Sequence, residues 1–155
     1  MPSFHSTRQV NHTPAQMFDL VADVERYPEF LPLCESLRVI RRTQSGEGVE
    51  TLVASMSVGY KAIKESFTSR VTLDRPRMRI LVEYVDGPFK YLENRWTFKP
   101  GPSGCAVEFF INYEFRNFAL SLLMGSVFDK AFRKFAGAFE QRADEIYGRS
   151  AVASA

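Results

Sequence analysis

The longest regular pattern in the chain is helical and extends from Phe118 to Tyr147. Its apolar residues recur at steps of three and four, the spacing that places side chains along one side of a helix. They are Leu120, Leu123, Met124, Val127, Phe128, Ala131, Phe132, Phe135, Phe139, Ala143 and Ile146. At 1.5 Å per residue such a helix spans roughly 45 Å. We therefore expect it to cross a strongly curved sheet, and a curved sheet closed by one helix can leave a cavity.

The N-terminal part of the chain predicts one strand followed by short helices. Residues 3–11 fit a strand with a weak apolar signal. The sequence Thr-Pro-Ala-Gln at 13–16 combines a capping threonine, a proline at the first helical position and a glutamine that completes a capping box. Pro28 interrupts this helix. We expect a second helical turn at 29–33.

Between residues 35 and 115 the apolar period changes from helical to two, which is typical of strands. Turn residues at 45–48, 74–76, 86–88 and 100–104 separate these strands. The cleanest alternation is at 105–115, where every second residue is apolar. The order of one strand, two short helices, six strands and a long helix predicts an α+β fold, with an antiparallel sheet wrapped around its C-terminal helix.

Composition favours a single domain with an apolar interior. The 155 residues contain no linker-like segment, 45% of them are hydrophobic, and 14 are Phe. The net charge of +2 is too small to indicate nucleic-acid binding by itself. Arginines cluster at 38–42 and 70–79, where they fit either solvated strand faces or contacts with phosphates or lipid headgroups.

No feature of the sequence predicts a metal site, a cofactor or a membrane span. Cys34 and Cys105 are too few for a disulfide framework, and they lack the spacing of zinc ligands. No apolar run approaches the 18 residues of a transmembrane helix, and the N-terminus has no signal-peptide pattern. We expect a cytoplasmic protein, at most peripheral at the inner membrane.

Three motifs, in this order, resemble one known family. They are Tyr-Pro-Glu-Phe-Leu-Pro-Leu-Cys at 27–34, Gly-Pro-Phe at 87–89 followed by Asn-Arg-Trp-Thr-Phe at 94–98, and Ala-Phe-Glu-Gln-Arg-Ala at 138–143. The chain is identified by them as a member of the coenzyme Q-binding and ribosome-association-toxin family, within the START-like, helix-grip superfamily of lipid-binding proteins and polyketide cyclases. We assign residues 1–148 to this single domain and 149–155 to a disordered tail.

The resemblance implies a seven-stranded antiparallel sheet that grips the C-terminal helix around an elongated apolar cavity. In the coenzyme Q branch that cavity holds ubiquinone, which the protein binds without transforming it. We therefore expect a non-catalytic protein that binds ubiquinone or a similar isoprenoid lipid and supports respiration. Possible partners are a membrane surface or a respiratory complex.

The candidate lipid-binding residues are those that the two periodicities place inward, together with aromatic and aliphatic residues near the first proline motif. Periodicity cannot distinguish a hollow interior from a filled one, so a solid core stays open as the alternative. The candidates are Tyr27, Phe30, Leu31, Met56, Phe67, Met78, Ile80, Val82, Tyr84, Trp96, Phe109, Ile111, Tyr113, Leu123, Met124, Val127, Phe128 and Ala131. The segment Tyr27–Leu33 fits a cavity mouth or an ordinary helix-breaking turn.

Two polar residues on apolar strand faces are candidates for the quinone headgroup. Glu65 lies between Ile63 and Phe67, and Asn94 is flanked by apolar residues in the same way. A buried carboxylate must be paired or protonated. Glu65 can therefore bond a headgroup, pair with an arginine, or lie near the strand end in water.

Two other functions stay open. A cyclase-like enzyme needs acid and base groups in the cavity, and the best set in this chain is Glu65 with Tyr84 or Tyr113, since His5 and His12 lie at the N-terminal edge. A ribosome-binding regulator of translation, the toxin branch of the family, needs a basic surface that contacts RNA phosphates, for which the two arginine clusters are the candidates.

Overall fold

Seven antiparallel strands form one sheet in the order β1-β7-β6-β5-β4-β3-β2. The computed structural model describes residues 3–148, so the predicted tail at 149–155 lies outside the described residues. The elements are β1 (Ser3–Val10), α1 (Pro14–Ala22), a 3-10 helix (Val24–Glu29), β2 (Cys34–Gly46), β3 (Val49–Tyr60), β4 (Ile63–Asp74), β5 (Arg79–Asp86), β6 (Phe89–Gly101), β7 (Gly104–Phe115) and α2 (Phe118–Tyr147).

The predicted α+β fold is confirmed. Helix α2 covers the inner face of the sheet with Met124, Phe128, Phe132 and Phe139, all of which are buried. On β7 every second residue is buried along the whole strand. The apolar sides of the helix and the sheet therefore form one continuous core.

The start of α1 has the predicted capping box. The Gln16 backbone N–H donates to Thr13 Oγ1 at 3.1 Å, and the Thr13 backbone N–H donates to Gln16 Oε1 at 3.0 Å. Two backbone donors at the helix start are satisfied in this way, and Pro14 at the first position needs no partner. The local sequence thus fixes where α1 begins.

The prediction of a second helical turn at 29–33 is wrong. The helical segment lies earlier, at Val24–Glu29, and contains Pro28. It is a 3-10 helix, whose φ values are close to the one that the proline ring imposes. The chain cannot continue as a helix to residue 33 because Leu33 has a left-handed backbone with φ of 68°.

Helix α2 has the predicted bounds, but its buried stripe differs at two of the predicted residues. Leu123 is 60% exposed and Ile146 is 52% exposed. Leu123 precedes the buried Met124, and neighbouring residues point about 100° apart around a helix. The recurrence of apolar residues at steps of three and four therefore assigned Leu123, which faces solvent, to the buried stripe.

Candidate functional site

A cavity of about 90 Å³ lies between the inner face of the sheet, α2 and the segment after the 3-10 helix. Its wall is almost entirely apolar. Strands β2–β7, the 3-10 helix and α2 contribute to it. The lining residues are Val24, Tyr27, Leu31, Pro32, Leu33, Leu37, Ala54, Met56, Val58, Phe67, Ser69, Val71, Val82, Leu92, Asn94, Trp96, Ile111, Phe128, Ala131, Phe132, Phe135 and Phe139.

The polar groups of this wall are neutral. The Trp96 indole N–H donates to Asn94 Oδ1 at 2.9 Å, and Asn94 Nδ2 donates to the Phe110 carbonyl at 2.9 Å. An asparagine amide has two N–H donors and two acceptor positions. Asn94 therefore keeps one donor and one acceptor for another group. The buried Ser69 adds a hydroxyl to the same wall.

Tyr27 is the ionisable aromatic residue of the wall. Its hydroxyl donates to the Val21 carbonyl. The side chain as a whole is only partly buried, but burial of its phenol end raises the pKa of Tyr27 far above the ordinary value. The phenol is thus neutral at physiological pH, and no Asp, Glu, His, Lys or Arg is among the described residues that line the cavity.

The segment beside the cavity is fastened to α2 by aromatic and charged contacts. The ring centroid of Phe139 lies 5.2 Å from that of Tyr27 and 5.1 Å from that of Phe30. Glu29 accepts a hydrogen bond from Arg142, and this bond is the main reason why the pKa of Glu29 is lowered. The Arg142 guanidinium also lies 5.2 Å from the Phe30 ring centroid. These contacts close one side of the cavity.

Half of the predicted lipid-binding residues lie in the cavity wall. They are Tyr27, Leu31, Met56, Phe67, Val82, Trp96, Ile111, Phe128 and Ala131, to which the headgroup candidate Asn94 is added. The structure places the others outside the wall: Phe30, Met78, Ile80, Tyr84, Phe109, Tyr113, Leu123, Met124 and Val127. Lipid binding by the wall residues stays a prediction.

Several inward residues lie outside the wall because the core around them is filled. The Phe109 ring centroid is 4.7 Å from that of Trp96, and Phe109 is fully buried. The Tyr84 hydroxyl accepts a hydrogen bond from the Phe89 backbone N–H at 3.1 Å. Met78 precedes β5 and has a left-handed backbone, with φ of 52°, instead of a strand conformation. The alternation of apolar residues shows which side of the sheet a residue faces, but not whether the space beside it is filled by other side chains.

Glu65 lies on the inner side of β4, as predicted, but not in the cavity wall. It is opposite Val58, a wall residue, and is partly exposed near the start of the strand. Of the alternatives that the sequence left open, this position fits the solvated strand end. The predicted catalytic set of Glu65 with Tyr84 or Tyr113 is not assembled in the cavity, since all three lie outside its wall.

The sequence did not single out Ser69, Pro32 and Leu33 as site residues. Ser69 lies between the inward residues Phe67 and Val71, so alternation on β4 could have identified it. Pro32 and Leu33 belong to an irregular segment, where no periodic signal exists. Their contribution to the wall follows only from how that segment packs.

Within residues 3–148, no group of three or more His, Cys, Asp or Glu residues could hold a metal ion. The helices described in the same range include none with an apolar stretch long enough to cross a membrane.

Comparisons with known proteins give one consistent family. The profile described as "Polyketide cyclase / dehydrase and lipid transport" matches residues 10–140. The ribosome association toxin RatA of Rickettsia prowazekii is 35% identical over 149 residues, which cover 94% of this chain and 99% of the toxin. Coenzyme Q-binding protein COQ10 homolog B of Xenopus laevis is 34% identical over 142 residues, which cover 88% of this chain and 56% of that protein.

Solved structures agree with the fold. An 18 kDa protein from Caulobacter crescentus superimposes with a TM-score of 0.77 at 34% identity, covering 96% of this chain and 99% of that one. A START superfamily protein from Mycobacterium smegmatis has a TM-score of 0.76 at 18% identity, covering 93% of this chain and 98% of that one.

Proposed function

The chain belongs to the polyketide cyclase / dehydrase and lipid transport family, in the START-like group that includes ribosome association toxins and coenzyme Q-binding proteins, and we propose that it binds ubiquinone or a similar isoprenoid lipid without transforming it. The observation that carries this proposal is the cavity wall, which is apolar apart from a few neutral polar groups. Such a wall suits a ligand with a long hydrocarbon tail and a small uncharged headgroup.

The physical basis of binding is burial of apolar surface. An isoprenoid tail offers no hydrogen bonds, so its affinity comes from area removed from water, at about 25 cal/mol per Å². Asn94 and Ser69 supply neutral groups that can hydrogen-bond a quinone carbonyl. Acid–base catalysis needs a group that exchanges protons near neutral pH. Tyr27, whose pKa is far above its ordinary value, does not meet that need.

The cavity must widen to hold such a ligand. Its volume of about 90 Å³ is room for a few water molecules by the usual volume per water. We place the opening between the segment Tyr27–Leu33 and the start of α2 around Leu120–Phe128. The Glu29–Arg142 ion pair and the Phe30–Phe139 contact fasten the same segment to later turns of α2, so movement of the whole segment away from the helix would break them.

The test is native mass spectrometry of the protein purified from its own host, combined with organic extraction and lipid analysis. We expect one quinone per chain, and uptake of added ubiquinone by protein from which lipid has been removed. A protein that is empty after purification and takes up no added ubiquinone would contradict the proposal.

A second candidate function is association with ribosomal subunits. The observation that favours it is that relatives named for ribosome association match nearly the whole chain. Arg38, Arg41 and Arg70 are exposed and form no ion pair with any residue between 3 and 148. The register places Arg41 and Arg70 on either side of Val53, on the outer face of the sheet. These guanidinium groups can contact RNA phosphates.

Co-sedimentation with ribosomal subunits over a range of salt concentrations tests this candidate. Phosphate contacts predict binding that weakens steeply as salt rises. An Arg41→Gln/Arg70→Gln variant should bind more weakly than Lys130→Gln/Lys134→Gln, which removes the same charge from α2. No co-sedimentation at low salt would exclude the candidate.

A further inference from the structure

The first turns of α2 carry an exposed apolar surface that is separate from the cavity wall. Phe118 is 76% exposed, Leu122 is 69% exposed and Leu123 is 60% exposed. No residue from Asn117 to Phe128 carries a charge. An exposed helical face is normally polar. These three side chains, the tip surface, therefore need an explanation outside the packing of the described chain.

The exposed face of α2 changes from apolar to cationic further along the helix. Lys130 and Lys134 are exposed and form no ion pair with any residue in the described range. At 100° and 1.5 Å per residue, Lys130 and Lys134 lie within about 20° of Leu123 around the helix and about 10 and 16 Å from it along the axis. The side of α2 that carries Leu123 thus presents free ammonium groups behind this apolar side chain.

A second aromatic and cationic pair lies at the same end of the sheet. Strand β3 ends at Tyr60, and β7 ends at Phe115, just before α2 begins. In the order of this antiparallel sheet β3 and β7 run in the same direction, so Tyr60 and Phe115 lie at the same end of the sheet. Tyr60 is 40% exposed, and the Lys61 ammonium lies 5.3 Å from its ring centroid. Tyrosine and lysine are suited to the boundary between hydrocarbon and water.

We propose that the tip surface docks the protein onto an anionic lipid bilayer. Phe118, Leu122 and Leu123 enter the boundary between headgroups and acyl chains, and Lys130 and Lys134 contact lipid phosphates. This inference rests on the proposed function, since lipid binding is what would give membrane docking a purpose. Phe128, one turn beyond Met124 on α2, lines the cavity. A docked helix would place that cavity beside the membrane from which the lipid comes.

A bilayer fits this surface better than a second copy of the chain. Three side chains offer far less than the roughly 800 Å² per partner of a stable protein interface. Lipid phosphates provide the opposite charge for Lys130 and Lys134.

The test is co-sedimentation with vesicles of phosphatidylcholine, with and without phosphatidylglycerol, in the absence of any quinone. We expect binding to the anionic vesicles that weakens with salt. The Leu122→Ser/Leu123→Ser variant should lower the partition coefficient by at least roughly tenfold, since two apolar side chains no longer insert. The matched control is Ile40→Ser/Ile146→Ser, two residues that are 55% and 52% exposed away from the tip surface; it should bind like the wild type.

A Lys130→Glu/Lys134→Glu variant should also bind anionic vesicles more weakly than the wild type. Equal binding by the wild type and the Leu122→Ser/Leu123→Ser variant would overturn the proposal. So would a wild-type dimer that this variant dissociates, with no vesicle binding by either. Because the vesicles contain no quinone, a wild-type protein that binds no vesicles but takes up ubiquinone from detergent would reject this inference alone. Docking without uptake would reject only the proposed function.

Discussion

His12 Nε2 lies 2.7 Å from Asp144 Oδ1, and this contact ties the residue before the α1 cap to the last turn of α2. The His12 ring is fully buried, whereas the Asp144 side chain is 29% exposed. The other ring nitrogen, Nδ1, has no hydrogen-bond partner within residues 3–148. Asp144 therefore supplies the polar contact for one of the two nitrogens of this buried imidazole.

Replacing Asp144 by alanine should destabilise the protein by about 1–3 kcal/mol, because it leaves a buried polar ring without a partner. Urea unfolding followed by circular dichroism measures the change. Glu145→Ala is the control, since that neighbouring side chain is 58% exposed and should change stability by less than about 0.5 kcal/mol. If both variants unfold at the same urea concentration, the contact contributes nothing.

Gly87, which belongs to one of the family motifs, has a backbone that other residues rarely adopt. Its φ is 144°, and a Cβ atom there would lie 2.5 Å from Phe67 Cβ and 2.9 Å from Phe67 Cα. Gly87→Ala should therefore cost at least about 2 kcal/mol from backbone strain and steric overlap. Thermal unfolding measures it. Gly46→Ala, whose new Cβ would be 3.5 Å from the nearest atom, should be tolerated, and similar melting temperatures for the two variants would refute the argument.

Periodicity predicted the fold well because it reports which side of an element is apolar. The bounds of α2 and the alternation on β7 follow directly from the sequence. Long-range contacts were not predictable in the same way. Asp144 is 132 residues from His12, and neither residue carries a local signal that identifies its partner.

The position of the cavity was also beyond periodicity. Ile111 lines the cavity while Phe109, two residues earlier on the same side of β7, is packed among aromatic rings. The difference depends on which side chains approach from α2 and β1. The left-handed Leu33 illustrates a second limit, because its conformation is held by tertiary contacts that include the hydrogen bond from the Gly59 N–H to its carbonyl at 3.0 Å.

The two cysteines should be unreactive in the folded protein. Both are buried, and burial raises the pKa of Cys34 and of Cys105 from 9.0 to about 11. Iodoacetamide at mildly alkaline pH should therefore label the unfolded chain much faster than the folded one. Rapid labelling of both thiols without denaturant would contradict their burial.

The same shifts predict how stability depends on pH. The folded pKa of each thiol is raised, so the folded state holds its protons more tightly than the unfolded state. The stability that this provides is complete below about pH 9 and is lost as pH rises through about 11. Urea unfolding of the wild type over this range should show a steeper loss than unfolding of a Cys34→Ala/Cys105→Ala variant, and parallel curves would be inconsistent with the shifts.

Asn94→Leu separates a structural role from a ligand-binding role. The substitution removes the acceptor of the buried Trp96 indole N–H, which should cost about 1–3 kcal/mol in stability. It also removes the free donor and acceptor from the cavity wall, so ubiquinone uptake should fall. Glu65→Gln is the comparison, because Glu65 lies outside the wall, and it should preserve uptake. A normal uptake by Asn94→Leu at temperatures where it is folded would leave Asn94 with the structural role only.

Filling the cavity is the sharpest test of whether it holds lipid. Ala131 is 6% exposed and lines the wall, so Ala131→Leu adds three carbon atoms to the space of about 90 Å³. In a filled core this change would cost about 1–3 kcal/mol by overpacking. In a cavity, the unfolding midpoint should stay the same or rise while ubiquinone uptake falls. Ala119→Leu, an exposed site on the same helix, controls for the added leucine. A destabilised Ala131→Leu protein with unchanged uptake would place the lipid elsewhere in the molecule.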